Sequence, residues 1–398
     1  MKIESVNKSF KRTAICTLRH RWLVLAAFAA LMVFSVVGTK RIVMKTSFDD
    51  YFLEDAPVLV KTNEFKSIFG NDYYAAVLVK NKDVFSHRSL SLIRELSNEL
   101  LDSLSYAEKI TSLTDLEFTV GNDEGLAIEQ IVPDEIPTNA DSLAAIRQRA
   151  FSKPHLARKL VSKDGTMTWI MVKLRTFPPE QEWKKTSNTS PDILTGKELA
   201  HIISKPKYRE LSPNASGMPY LTHEKVTFLQ GEMGRLMLFA FIASILIMFF
   251  VTRSLRGVVA PLLTSVVGIL LGYGVIGWAG IYVDQPTVMI AVILAFACSI
   301  AYNIHLYNFF KTRFVQTGRR RTSVVEAVGS TGWGVLLSGL TTIAAMATFL
   351  AMKIVPMQAI GLNTSLCLLG VLGTCLFITP VLLSFGRNRK PHPHMNRS

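Results

Sequence analysis

The chain has 398 residues, of which 49% are hydrophobic and 19% charged, against about 25% charged in an ordinary soluble protein. That composition excludes a disordered chain, a collagen-like chain and a purely soluble enzyme. The formal net charge of +14 raises nucleic acid as a partner, but the charge is distributed in a way that argues against one.

In chain order, residues 1–21 carry six Lys or Arg and lead into 22–39, the first of six strongly apolar stretches without Lys, Arg, Asp or Glu. A basic start and an apolar core also describe a secretory signal peptide. Val37-Gly38-Thr39-Lys40 offers no convincing small-residue cleavage site, so we expect a retained anchor. Residues 40–234 are mixed in charge, with 25 basic and 27 acidic side chains. Within them, Tyr73 to Lys80 (YYAAVLVK) predicts a strand. Ser86 to Leu104 has helical spacing, with Leu90, Leu92, Ile93, Leu96, Leu100, Leu101 and Leu104 on one face. Ile110 to Leu116 predicts another short strand, and Asn139 an N-cap for a helix through Ala150. Asp164-Gly165 forms a hairpin-type turn before the clearest strand, Thr166 to Leu174 (TMTWIMVKL). Pro178 to Pro191 predicts a loop and Ile193 to Ile203 a short helix. These elements suggest an α+β domain of repeated β-α-β character.

The remaining charge-free stretches are 236–252, 257–283, 285–310, 327–352 and 354–386. A bilayer core of about 30 Å needs roughly 17–25 helical residues, so all six stretches qualify as spans. Arg253 and Arg256 lie in one loop, five Lys or Arg in 311–326, and Arg387, Arg389, Lys390 and Arg397 in the tail. Alternating the spans from a cytoplasmic N-terminus keeps every basic segment inside, as the positive-inside rule requires. The expected order is a cytoplasmic basic segment 1–21, a first span 22–39 and an external, periplasmic domain 40–234. A five-helix bundle 235–386 follows, with spans 236–252, 257–283, 286–310, 329–352 and 357–385, and then a cytoplasmic basic tail 387–398. The fold class is therefore a polytopic α-helical membrane protein, six spans arranged 1+5, with one large external α+β domain. The basic excess orients the chain and attracts membrane lipid; no nucleic-acid partner is expected.

No catalytic constellation, metal spacing or cofactor motif stands out. His87, His155, His201 and His223 are scattered, and there is no P-loop or GxGxxG. The four cysteines, Cys16, Cys298, Cys367 and Cys375, form no CxxC. An enzyme is not expected, and no cofactor.

The layout of one span, one large domain and five close spans resembles half of a transporter of the resistance–nodulation–division (RND) superfamily, in its MMPL-like, hydrophobe-exporting branch. Its last five spans occupy the place of a sterol-sensing domain. The stretches that carry the likeness are Ser47 to Pro57 (SFDDYFLEDAP), Phe65 to Gly70 (FKSIFG) and Gly217-Met-Pro219. Further on come Tyr302-Asn-Ile-His-Leu306, similar to a fourth-span D-Y-x-I-H, then Ser338-Gly-Leu-Thr-Thr342 and Thr379-Pro380. The resemblance implies a lipid or other hydrophobic substrate and two six-span units working as a homodimer or heterodimer. It also allows a periplasmic partner protein. The family's proton-carrying carboxylate stands just before the Tyr of the fourth-span motif, and here that position is Ala301. No charge-free stretch contains an acid, and the nearest is Asp284.

His305 is the clearest ionisable side chain inside a span, one helical turn from Ala301. It is a candidate proton relay or an interfacial, packing histidine. Ser338, Thr341, Thr342 and Ala345 form a stripe on the fifth span, and Ser299, Tyr302 and Asn303 a patch on the fourth. Hydroxyls and amides in hydrocarbon need partners, so these two groups should face each other or a second subunit, as a relay or as helix–helix glue.

Overall fold

A computed structural model describes residues 3–42, 44, 51–69, 73–122, 125–152, 159–178, 180–183 and 189–389. The chain divides into two units, Glu54–Phe228 and a second made of Met1–Leu53 with Leu229–Ser398. The motif residues 47–50 and Gly70, together with His155, Lys390 and Arg397, lie outside the described residues.

The α+β unit opens with α3 (Pro57–Phe69); before it in the chain come α1 (Ile3–Arg19) and α2 (Arg21–Thr39) of the other unit. Then follow β1 (Tyr74–Lys80), α4 (His87–Ser103), β2 (Ala107–Thr111), β3 (Glu117–Asn122) and β4 (Gly125–Gln130). The unit continues with α5 (Ala140–Ser152), β5 (Met167–Leu174), the one-turn α6 (Glu180–Trp183), α7 (Pro191–Ile203) and β6 (Asn214–Ser216). One antiparallel sheet has the order β2-β5-β1-β6, and β3 and β4 pair as a separate hairpin. The two β-α-β rounds expected from the sequence therefore share a single sheet. Strand β5 sits between β1 and β2, the split arrangement of a ferredoxin-like β-α-β-β-α-β fold.

Alternation builds the core. Ala75, Val77 and Val79 of β1 are buried and stand opposite Val172, Ile170 and Thr168 of β5. Leu90, Ile93, Leu96 and Leu100 of α4 cover that face, with Leu199 and Ile202 of α7 in the same core. Ser86 caps α4 by accepting from the Ser89 N–H, so its hydroxyl is occupied at the helix start. The predicted strand at 110–116 is shifted to 107–111, because Ser112 to Asp115 fold into a turn closed by the Asp115 N–H donating to the Ser112 carbonyl. The loop expected at 178–191 contains the short helix α6.

A two-turn 3-10 helix, Pro206–Leu211, is tied to α4 through Glu99. That carboxylate accepts from Lys205, from Lys207 at 2.7 Å and from the Tyr208 hydroxyl at 2.6 Å. Burial alone raises its pKa, but these three donors hold it from an ordinary 4.5 down to about 2. Burial and the Glu99 hydrogen bond push the Tyr208 hydroxyl up to about 12. A depressed carboxylate stabilises the fold above its ordinary pKa, and that contribution fades as pH falls from 4.5 towards 2. Glu99→Gln should cost about 1 kcal/mol at pH 7, discounted because both lysines are partly hydrated, and should flatten this acid limb. Hydrogen exchange of the 207–211 amides across pH 2–6 reads it; an unchanged acid limb in the variant would contradict the assignment.

The second unit is helical. The 35-residue helix α8 (Met218–Thr252) is continuous, so it starts well before the charge-free stretch at 236. After it come α9 (Leu255–Ala279), α10 (Gln285–Thr317), α11 (Arg320–Ala347) and α12 (Val355–Gly373). A π-helical turn, Thr374–Ile378, joins α12 to α13 (Thr379–Ser384). Six of these segments, beginning with α2, are long and apolar enough to cross a membrane. The α9 and α12–α13 segments are the most enclosed, while α2, α8 and α11 leave most of their apolar surface uncovered.

Small residues explain the hub role of α9. On one side Gly274 backs onto Ser35 and Gly277 onto the Gly38 carbonyl, so α2 lies backbone to backbone with α9. Trp278 locks that pair: its ring stacks on Phe34 at 4.7 Å and its indole N–H donates to the Phe34 carbonyl at 3.0 Å. The Arg41 guanidinium covers the same ring at 3.8 Å. On the other side Gly268 and Gly272 face Val371 and Cys367 of α12, where an added Cβ would come within 2.6 Å of each Cα.

The N-terminal basic segment is a helix that packs along α11. Phe10 seats against Gly332 and the Lys11 stem against Gly329, and Ala14 and Leu18 are buried in the bundle core.

Candidate functional site

The polar residues of the fourth span divide by helix face. Ser299 and Asn303 point into the bundle and are fully buried. Asn303 Nδ2 donates to the Ser299 carbonyl at 2.9 Å, and Ser299 Oγ shares a hydrogen bond with Ser265 Oγ of α9 at 2.6 Å. Thr379 Oγ1, just past the π-helical turn, donates to Asn303 Oδ1 at 2.8 Å and lies 3.1 Å from Thr264 Oγ1. Thr374 Oγ1 donates to the Thr264 carbonyl at 3.0 Å. One network thus joins α9, α10 and the end of the last span.

Sequence reasoning singled out neither Thr264 nor Ser265, nor Thr374. The Thr264-Ser265 pair does carry a local signal, two adjacent hydroxyls in an otherwise apolar helix. The π-helical turn also matters, because the register it inserts carries Thr379 round to Asn303.

The fifth-span stripe is elsewhere. Ser338 and Thr341 are exposed and Thr342 is half-buried, and both threonine hydroxyls donate to the Ser338 carbonyl at 2.9 Å. Of the two expected arrangements, facing each other or a second subunit, the first holds for only part of the patch, because Ser299 and Asn303 turn to α9 and Thr379. Only Tyr302, buried on α10, has its hydroxyl beside Ser338 and Thr342. The reason is register. Ser299 and Asn303 are four residues apart and share one face, whereas Tyr302 points towards α11.

Ala301 and His305 lie on the outer surface of α10, both exposed. His305 opens onto a groove of about 540 Å³ that Asn308, Thr312 and Thr331 also line. The bundle core therefore holds hydroxyls and an amide, while the position that the resemblance associates with a carboxylate faces outward and carries a methyl group. Asp284 is occupied as a helix cap: its Oδ1 accepts from the Thr287 N–H at 2.9 Å, and Thr287 Oγ1 accepts from the Asp284 N–H in return.

The family model for the MMPL family matches residues 63–397. The chain belongs to the MMPL family. The MMPL match covers most of both units, and with it the RND-like transporter resemblance read from the sequence is established. The chain is a multi-pass membrane protein. A curated relative, "Membrane protein YdfJ" of Bacillus subtilis (strain 168), is 25% identical over 131 residues. That alignment takes in 32% of this chain and 18% of the relative.

The structure gives the MMPL-like motifs physical roles. Gly217 has φ +111° and approaches the Tyr74 carbonyl, a place no side chain fits, so the chain leaves β6 and enters α8 at Met218-Pro219. In Ser338-Gly-Leu-Thr-Thr342, Gly339 seats Leu372 of α12. In Thr379-Pro380, the threonine is the network's bridge to Asn303.

Proposed function

We propose that this chain is a six-span unit of a transporter for a lipid or other hydrophobic molecule. It sits in the cytoplasmic membrane with its basic segments inside and the α+β unit in the periplasm. A second six-span unit, a further copy or a related one, covers the outer face of α10 and α11. The observation that carries this reading is the exposure of His305 on α10 and of Ser338 and Thr341 on α11, both helices of membrane-spanning length. Polar groups facing hydrocarbon are costly, and packing against another unit removes that cost. The exposed His305 then serves as an interface residue, and a second unit that is a related chain, not a further copy, supplies the coupling carboxylate. Neither an enzymatic activity nor a cofactor enters this reading.

Photoactivatable acyl phospholipid added to membranes containing the full chain should label peptides of Glu54–Phe228, and unlabelled lipid should compete. Labelling confined to the apolar helices would remove lipid handling by that unit.

A second reading is favoured by Ala301 itself: a non-transporting subunit that binds lipid or partner proteins. Addition of a six-span unit that carries the fourth-span Asp separates the two. Transport restored by the pair supports the first reading.

A further inference from the structure

We infer that Arg256, Arg320 and Arg389 form a binding site for the phosphate headgroup of an anionic phospholipid. The site is independent of which side of the membrane this end faces. It goes beyond the transport reading, because it concerns a resident lipid and not the cargo.

The three arginines come from distant parts of the chain and converge on the turn after α13. A Cβ placed on Gly386 would lie 2.7 Å from Arg256 Nη1 and 3.0 Å from Arg320 Nε, so the two guanidiniums share one small space. Arg389 is a further charged neighbour of Arg320. The arrangement is built. Arg320 Nη1 donates to the Leu383 carbonyl at 2.9 Å, and its guanidinium lies 4.7 Å from the centre of the Phe314 ring. The Arg320 N–H donates to Asn388 Oδ1 at 3.1 Å, and the Arg389 N–H donates to the Gly318 carbonyl at 3.0 Å.

Among the described residues no carboxylate pairs with Arg256, Arg320 or Arg389, whereas nearby Arg313 has Glu326 at 3.3 Å. Like charges held this closely repel, and an anion between them reverses the sign. The surroundings favour a lipid over a free anion. Leu255, 75% exposed, adjoins Arg256, and Val259 continues the same stripe one turn along α9. Arg21 lies 4.6 Å from the centre of the Phe385 ring, next to Trp22, which is 68% exposed. Arginine and tryptophan at the end of apolar spans mark the membrane boundary, where a headgroup meets its acyl chains.

Native mass spectrometry of the detergent-purified full chain with POPG or POPC tests the site. Arg256 and Arg389 are exposed, so Arg256→Gln/Arg389→Gln leaves the Arg320 hydrogen bonds intact. POPG should be retained well above POPC, and the double variant should weaken POPG binding about 25-fold, roughly fivefold per arginine. Arg313→Gln should keep the preference, and millimolar inorganic phosphate should not displace POPG. Equal retention of the two lipids, undiminished POPG binding in the double variant, or equal loss in Arg313→Gln would each overturn the site. Displacement by phosphate alone would overturn the lipid assignment in favour of a free anion.

Discussion

Gly370→Val should prevent the bundle from assembling in its native form. A Cβ on Gly370 would run into the Gly268 carbonyl, with the Gly268 carbonyl carbon at 3.1 Å and the Gly272 nitrogen at 3.3 Å. All three are backbone atoms of α9, so no rotamer change makes room and the two helices must separate. Overpacking in a well-packed core costs typically 1–3 kcal/mol, and a backbone clash between the two most enclosed helices should reach about 3 kcal/mol or more. Gly373→Ala is the matched control, since nothing lies within 4 Å of a Cβ there. Thermal unfolding in detergent should show a large drop for Gly370→Val and little change for Gly373→Ala. Equal behaviour of the two would contradict the α9–α12 packing.

Asn303→Ala should be the most costly polar truncation in the helical unit. It removes the acceptor of Thr379 Oγ1 and the donor to Ser299, both fully buried. Interhelical hydrogen bonds in membranes average about 0.6 kcal/mol and reach about 1.7. Orphaned buried partners add to that, so about 2 kcal/mol is expected. Thr379→Val should cost less, and the double variant should cost less than the sum of the two, with a coupling of about 1 kcal/mol. Ser338→Ala, at an exposed position, should be near neutral. Reversible unfolding in mixed micelles measures all four, and strict additivity of the Asn303 and Thr379 changes would remove the network as an energetic unit.

The spans were legible because charge is excluded from them in runs no soluble helix needs, and α4 and β5 because their apolar residues keep a clean period. The hairpin β3–β4 was not read, since Glu117, Glu129 and Gln130 interrupt the alternation that marks a strand. Helix α1 was read as a charged segment alone. Its Phe10, Ala14 and Leu18, spaced by four, carried the packing signal beneath the lysines and arginines. The candidate site was half legible. Ser299 and Asn303 were recognised as polar residues in hydrocarbon, but their partners depend on helix rotation and on the π-helical turn before Thr379, which no local pattern announces. The fifth-span stripe left its partner open, because a helical period gives a face without saying what that face meets.

We propose that this unit, with Ala301 at the outer surface of α10 and no acid in its charge-free stretches, does not couple protons to transport by itself. Purified chain in liposomes, given a pH gradient and a fluorescent phospholipid, measures it most directly. No lipid movement that an uncoupler abolishes is expected until a second six-span unit bearing the carboxylate is added. Uncoupler-sensitive movement with this chain as the sole protein would contradict it.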